Sequence, residues 1–156
     1  MRALVLVALL IAAPSWFAPV RASDATIVVR DGWSRATPGG ARVGAGYLVI
    51  ENHGDVQDRL VAAELPVAGR VEIHESTESG GVARMRQVTD VPVSAHGTVE
   101  LRPGGLHLML MDLRNPLREG DRLEGVLVFE HAGRVAVQLQ VKKIGASSAG
   151  GGHGSH

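Results

Sequence analysis

From residue 26 to residue 143 the chain is a succession of short β-branched and apolar runs separated by Gly, Pro, Asn and Asp. That punctuation leaves room for strands and none for a helix of useful length. The expected strands are 26–31, 45–51, 58–64, 69–75, 82–88, 97–102, 106–112, 122–130 and 134–143. Their spacing of about 8–15 residues suits a β-sandwich or a Greek-key barrel. Alternation is clearest in the last run. Val135, Val137, Leu139 and Val141 share one face, and Ala136, Gln138 and Gln140 share the other, as in a half-buried strand. Turns are expected at Asn52-His53-Gly54, Ser79-Gly80-Gly81 and His131-Ala132-Gly133. The chain has no cysteine, so no disulfide supports this fold and the apolar core must hold it alone. With 156 residues there is enough chain for one such core.

The two ends differ from the middle. Arg2 precedes an apolar run, Ala3 to Ala13, broken by Pro14 and Ser15, and small residues follow at Val20-Arg21-Ala22. This is the layout of a secretory signal peptide over residues 1–22. The run is too short for a bilayer span, which needs about 20 residues. A lipoprotein anchor would need a cysteine at the cleavage site. The domain is expected over residues 23–144, as a periplasmic monomer without a membrane anchor once the signal is cleaved. Residues 145–156 (GASSAGGGHGSH) offer little to bury and are expected to form a flexible tail. Without Arg2 and Arg21 there are 14 basic against 16 acidic residues, a balance of −2. That balance gives no electrostatic case for nucleic acid or anionic lipid.

His74, Met85, His107 and Met109 carry the chemistry. Ten residues separate the first pair, twenty-one separate Met85 from His107, and one separates His107 from Met109. Thioether sulfur is a soft, uncharged donor that selects Cu(I) over zinc, iron or magnesium. His107 and Met109 alternate with Leu106, Leu108 and Leu110, so the two donors share one strand face about 7 Å apart. If the hairpin turn centres on Ser79-Gly80, His74 and Met85 lie directly opposite each other and share a face as well. Convergence of the two pairs would give a donor set of two nitrogens and two sulfurs. Met111 shares the face of Met109 and is expected to pack at the rim.

This spacing is the signature of the PCuAC family of periplasmic copper chaperones, H(M)x10Mx21HxM, and the chain resembles that family. Glu75 replaces the optional Met after the first His. Further likenesses are Asp31 to Pro38 (DGWSRATP), Ala45-Gly46-Tyr47, Asn52-His53-Gly54 and Pro116 to Asp121 (PLREGD). The resemblance spans roughly Thr26 to Lys143. It implies a cupredoxin-like Greek-key β-sandwich, with Cu(I) held by His74, Met85, His107 and Met109. It also implies delivery to the copper centre of cytochrome c oxidase subunit II, directly or through a Sco-type thiol protein. Some members carry a tail that binds further copper, so a weak accessory Cu(II) site is expected at His153 and His156, whose imidazoles suit that ion.

Other readings are weaker. A blue-copper electron carrier needs a Cys ligand. An enzyme finds no G-x-S-x-G, no H-E-x-x-H and no cysteine nucleophile, and a zinc hydrolase built on His74, His107 and Glu75 would leave both Met residues unexplained. Passive copper storage would use the same residues and differs only in transfer. His53, His96 and His131 sit beside turn glycines and are expected at the surface. Trp33 is expected to pack in the sandwich or anchor the first strand in preference to shielding copper. Glu72, Glu75 and Glu78 are expected on a solvated strand edge.

Overall fold

The computed structural model describes residues 26–148, so the expected signal peptide and the distal tail with His153 and His156 lie outside the described residues. No helix occurs among the described residues. The strands are β1 (Ile27–Arg35), β2 (Val43–Asn52), β3 (Asp58–Glu64), β4 (Arg70–Ser79) and β5 (Val82–Val88). They continue with β6 (Val91–Val93), β7 (Thr98–Leu101), β8 (Leu106–Met111), β9 (Arg122–Phe129) and β10 (Gly133–Lys142). All nine expected strands are present. The additional one, β6, reads Val-Pro-Val and sits at the edge of the sheet, where a proline's missing N–H costs no ladder bond. Its three residues are too short to register as a run.

The strands hydrogen-bond in the order β5-β4-β8-β2-β1-β10-β9-β3-β6, with β7 also on β2. Both halves of this sheet face one core. Leu48, Ile50, Ile73, Leu108 and Leu110 come from one half, and Leu60, Leu127, Phe129, Val137 and Leu139 from the other. The architecture is an all-β sandwich, as the run pattern implied, and of the cupredoxin-like kind that the resemblance implied. Each fully buried leucine contributes about 1.5–3 kcal/mol, so strict alternation in these strands decides which face turns inward.

Two local departures from regularity set up the outer face. In β1 the pairing runs Arg30↔Val49 and then Trp33↔Tyr47, so β1 carries one extra residue. Asp31 there has φ 54°, and a Cβ on Gly32 would meet the Gln138 carbonyl oxygen at 2.3 Å. A bulge of this kind re-aims the side chains that follow it. By simple alternation Trp33 would join Ile27 and Val29 towards the core. The bulge turns it to the outer face, beside Tyr47.

The second departure is the β4–β5 turn. Ser79 pairs with Val82, so the two-residue loop is Gly80-Gly81, with φ of 61° and 76°. A type I′ turn needs positive φ at both central positions, which two glycines adopt freely and a serine does not. The turn is therefore centred one residue later than Ser79-Gly80, and β4 extends to Ser79.

Candidate metal centre

β8 reads Leu-His-Leu-Met-Leu-Met, with Leu108 and Leu110 fully buried in the core. His107, Met109 and Met111 point the other way. On β4, Ile73 faces the core and places Glu72 and His74 outward. The β4–β8 register sets His74 directly opposite His107 and Glu72 opposite Met109. The two imidazole centroids are 6.0 Å apart. Ala45 of β2 also pairs with Met109, and Met111 pairs with Val43 and Arg70.

The expected pairing of His74 with Met85 needs correction. His74 pairs with Gln87, and Met85 pairs with Ser76. The one-residue shift of the turn centre moves the register by two, so Met85 keeps the face of His74 but sits diagonal to it. Diagonal neighbours are about 7–8 Å apart. Met109, the His pair and Met85 thus follow a diagonal across β8, β4 and β5. Met85 is 55% exposed on the edge strand, whereas His107 is 5% exposed.

A line of rings continues from the His pair. Tyr47 of β2 lies 6.5 Å from His107, and Trp33 of β1 lies 4.5 Å from Tyr47, centroid to centroid. Trp33 is buried, but outside the main core cluster and against Tyr47. The Arg35 guanidinium lies over both rings at 5.9 and 5.6 Å, within cation–π range. Its Nε donates to the Ala146 carbonyl at 2.7 Å, so the start of the C-terminal segment is tied beside this row. Burial raises the Tyr47 phenol above its ordinary range, partly offset by the Arg35 charge.

The two imidazoles are held through different nitrogens. His107 Nδ1 lies 2.9 Å from the Gly105 carbonyl oxygen. A carbonyl only accepts, so Nδ1 carries the proton and Nε2 of the neutral ring has the free lone pair. His74 Nε2 lies 2.8 Å from Glu72 Oε2, while its Nδ1 is buried with no hydrogen-bond partner. Leaving such a group unpaired costs about 1–3 kcal/mol. Glu72 is held below the ordinary carboxyl range, first by its hydrogen bond from Arg70 and then by that from His74. Arg70 in turn reaches Asp112 at 2.7 Å.

Glu72 corrects the expectation of a solvated edge, because β4 lies between β5 and β8. Glu75 pairs with Arg86 on the opposite face of the hairpin, and Glu78 is exposed. His53, His96 and His131 are exposed in turns and loops, as expected. Sequence reasoning gave Glu72 and Tyr47 no part in the site and did not reach the Gly105 carbonyl. Glu72 was findable, since a residue two before a strand ligand shares its face. The other two depend on strand pairing.

With this geometry in place, known proteins give a consistent comparison. Residues 27–141 match the model of the family described as "Putative lipoprotein LpqE-like". The chain belongs to the LpqE-like family. It is 27% identical over 123 residues to Lxx21020 of Leifsonia xyli subsp. xyli, covering 78% of this chain and 73% of that protein. The apo PCuAC domain from PmoF1 is 30% identical with TM-score 0.64, over 76% of this chain and 94% of that one. Cu(I)-bound DR1885 from Deinococcus radiodurans is 33% identical with TM-score 0.59, over 72% and 76%. This LpqE-like chain therefore shares the fold of PCuAC domains, of which some solved examples hold copper.

Proposed function

We propose that this protein is an exported, periplasmic Cu(I) metallochaperone, a binding protein and not an enzyme. His74, Met85, His107 and Met109 would hold the ion, and delivery would be to the copper centre of cytochrome c oxidase subunit II, directly or through a Sco-type thiol protein. The observation that carries the reading is the buried, unpartnered Nδ1 of His74, on a strand whose register puts His107 directly opposite. Two nitrogen donors with two thioethers on the same outer face form a soft set that favours Cu(I) over zinc. The likeness to Cu(I)-bound DR1885 supports the choice of metal, and the family's lipoprotein description supports export.

The arrangement suits a cargo more than a resident ion. His107 is buried and His74 half-buried, while Met85 lies exposed on the edge strand. Neutral thioethers release copper without needing a proton, so an acceptor's thiolates could replace Met85 first. Tail residues His153 and His156 would add a weak accessory Cu(II) site.

The test is an anaerobic Cu(I) competition titration of the chain from Ser23, run beside the Met85→Leu/Met109→Leu double variant and a form ending at Lys143. One-to-one binding that collapses in the double variant and survives tail removal is expected. Subsequent transfer to the isolated soluble domain of oxidase subunit II, followed by its copper absorption bands, would separate delivery from storage. Binding indifferent to both Met residues would sink the copper reading.

A further inference from the structure

We propose that Glu72 is a positioning residue that makes Nδ1, and not Nε2, the copper-donating nitrogen of His74. The inference rests on the copper reading above and adds the atom through which His74 acts. His74 has two ring nitrogens with opposite surroundings. Nε2 is 2.8 Å from Glu72 Oε2, and Nδ1 is buried and unpartnered. An ionised carboxylate can only accept, so this contact puts the ring proton on Nε2 and the lone pair on Nδ1. The other carboxylate oxygen is occupied, since Arg70 Nε donates to Oε1 at 2.8 Å. Arg70 also bonds Asp112 at 2.7 Å, which orients the guanidinium and with it the carboxylate.

The geometry follows from the strand. Residues 70, 72 and 74 project from one face of β4, so Arg70, Glu72 and His74 form a continuous file. The opposing ring is set in the contrary sense, because the Gly105 carbonyl accepts a hydrogen bond from Nδ1–H of His107. The pair thus presents one Nδ1 and one Nε2 lone pair. A His that binds metal through one nitrogen commonly gives its other N–H to a carboxylate or a carbonyl, which fixes ring orientation and raises donor strength. Here one imidazole uses each kind of acceptor.

Glu72→Gln and Glu72→Ala test the assignment. In Gln, one oxygen must serve both Arg70 and His74. Arg70 can only donate, whereas a neutral His74 can exchange tautomers, so the amide NH2 is expected to turn towards Nε2 and drive the proton to Nδ1. In Ala the preference is lost. The tautomer is read in the copper-free protein by long-range proton–nitrogen NMR correlation of the His74 ring. Cu(I) affinity is read by anaerobic competition, and the fold by the amide spectrum. The wild type is expected as the Nε2–H tautomer. Both variants are expected to bind Cu(I) about 10–100-fold more weakly, and across the three proteins affinity is expected to follow the tautomer.

The proposal is overturned if the wild type shows the Nδ1–H tautomer. It is equally overturned if affinity falls with the tautomer unchanged, or if the tautomer is lost with affinity intact. Should the wild type bind no Cu(I), the chaperone reading falls with the copper role of Glu72, while the NMR result still decides which nitrogen Glu72 sets free.

Discussion

Two polar side chains, Asp58 and His74, are treated in opposite ways. At the start of β3, Asp58 is 3% exposed and accepts backbone hydrogen bonds from Arg59, His131 and Ala132. It ties the β9–β10 turn to β3, and both of its carboxylate oxygens accept. At the outer face of β4, His74 keeps one buried nitrogen unpaired. A polar group kept for structure is satisfied within the fold, because an unmade hydrogen bond costs stability. A polar group kept for a ligand has to wait for it. Asp58 is thus a clamp, and the unpaired nitrogen is what supports His74 as part of the proposed site.

Five measurements would break or sharpen that contrast. The largest effect is expected for His107→Ala, which should weaken Cu(I) binding by more than about a hundredfold, the upper end of what loss of an outer partner costs and worth about 2.8 kcal/mol. Anaerobic competition reads this, and a change within threefold would remove His107 from the site. Asp58→Ala comes next, at about 1–3 kcal/mol of stability from urea denaturation, with Cu(I) affinity of the folded protein unchanged.

Asp58 also sets a pH dependence. Burial acts to raise its pKa, but the backbone N–H groups of His131, Ala132 and Arg59 outweigh this and leave it lowered. A lowered folded value means the stabilisation is complete above the unfolded pKa. It is then lost as the pH falls below the ordinary carboxyl range and through the folded value. Urea midpoints measured against pH should show this loss in the wild type, and Asp58→Asn should lack that share of the slope.

Gly81→Ala is expected to cost about 1–2 kcal/mol, because its φ of 76° places a Cβ in the left-handed region. An unchanged melting point would mean that the β4–β5 turn, and the diagonal placement of Met85, differ from the type I′ geometry. The smallest effect belongs to His74→Leu. It removes the cost of the unpaired nitrogen together with the Glu72 hydrogen bond, effects of opposite sign and each about 1–3 kcal/mol, so the net change in stability should be smaller than that of Asp58→Ala. A loss as large as that of Asp58→Ala would show that His74 is a structural polar group after all.

Much of this was legible in the amino-acid order. Nine strands followed from apolar runs and turn residues, because period-two alternation and Gly or Asn punctuation are local properties. The shared face of His107 and Met109 followed from the same rule, with Leu108 and Leu110 facing inward. The register of the β4–β5 hairpin did not follow. Ser79-Gly80 and Gly80-Gly81 are both plausible turn centres in a string of letters. The choice rests on φ values that only glycine adopts cheaply at both positions.

The sequence by itself determined the all-β class and the apolar faces of β8 and β10, and it named the candidate donor side chains, since each is written in residue type and spacing. Tertiary structure alone decided that His74 lies opposite His107 and that Met85 lies diagonal to the pair. It also decided that a bulge at Asp31-Gly32 turns Trp33 outward, and that Glu72 faces one nitrogen of His74 while the other stays unpaired. Those outcomes depend on which strands become neighbours and in what register, and pairing between distant segments is settled by the packing of the whole core.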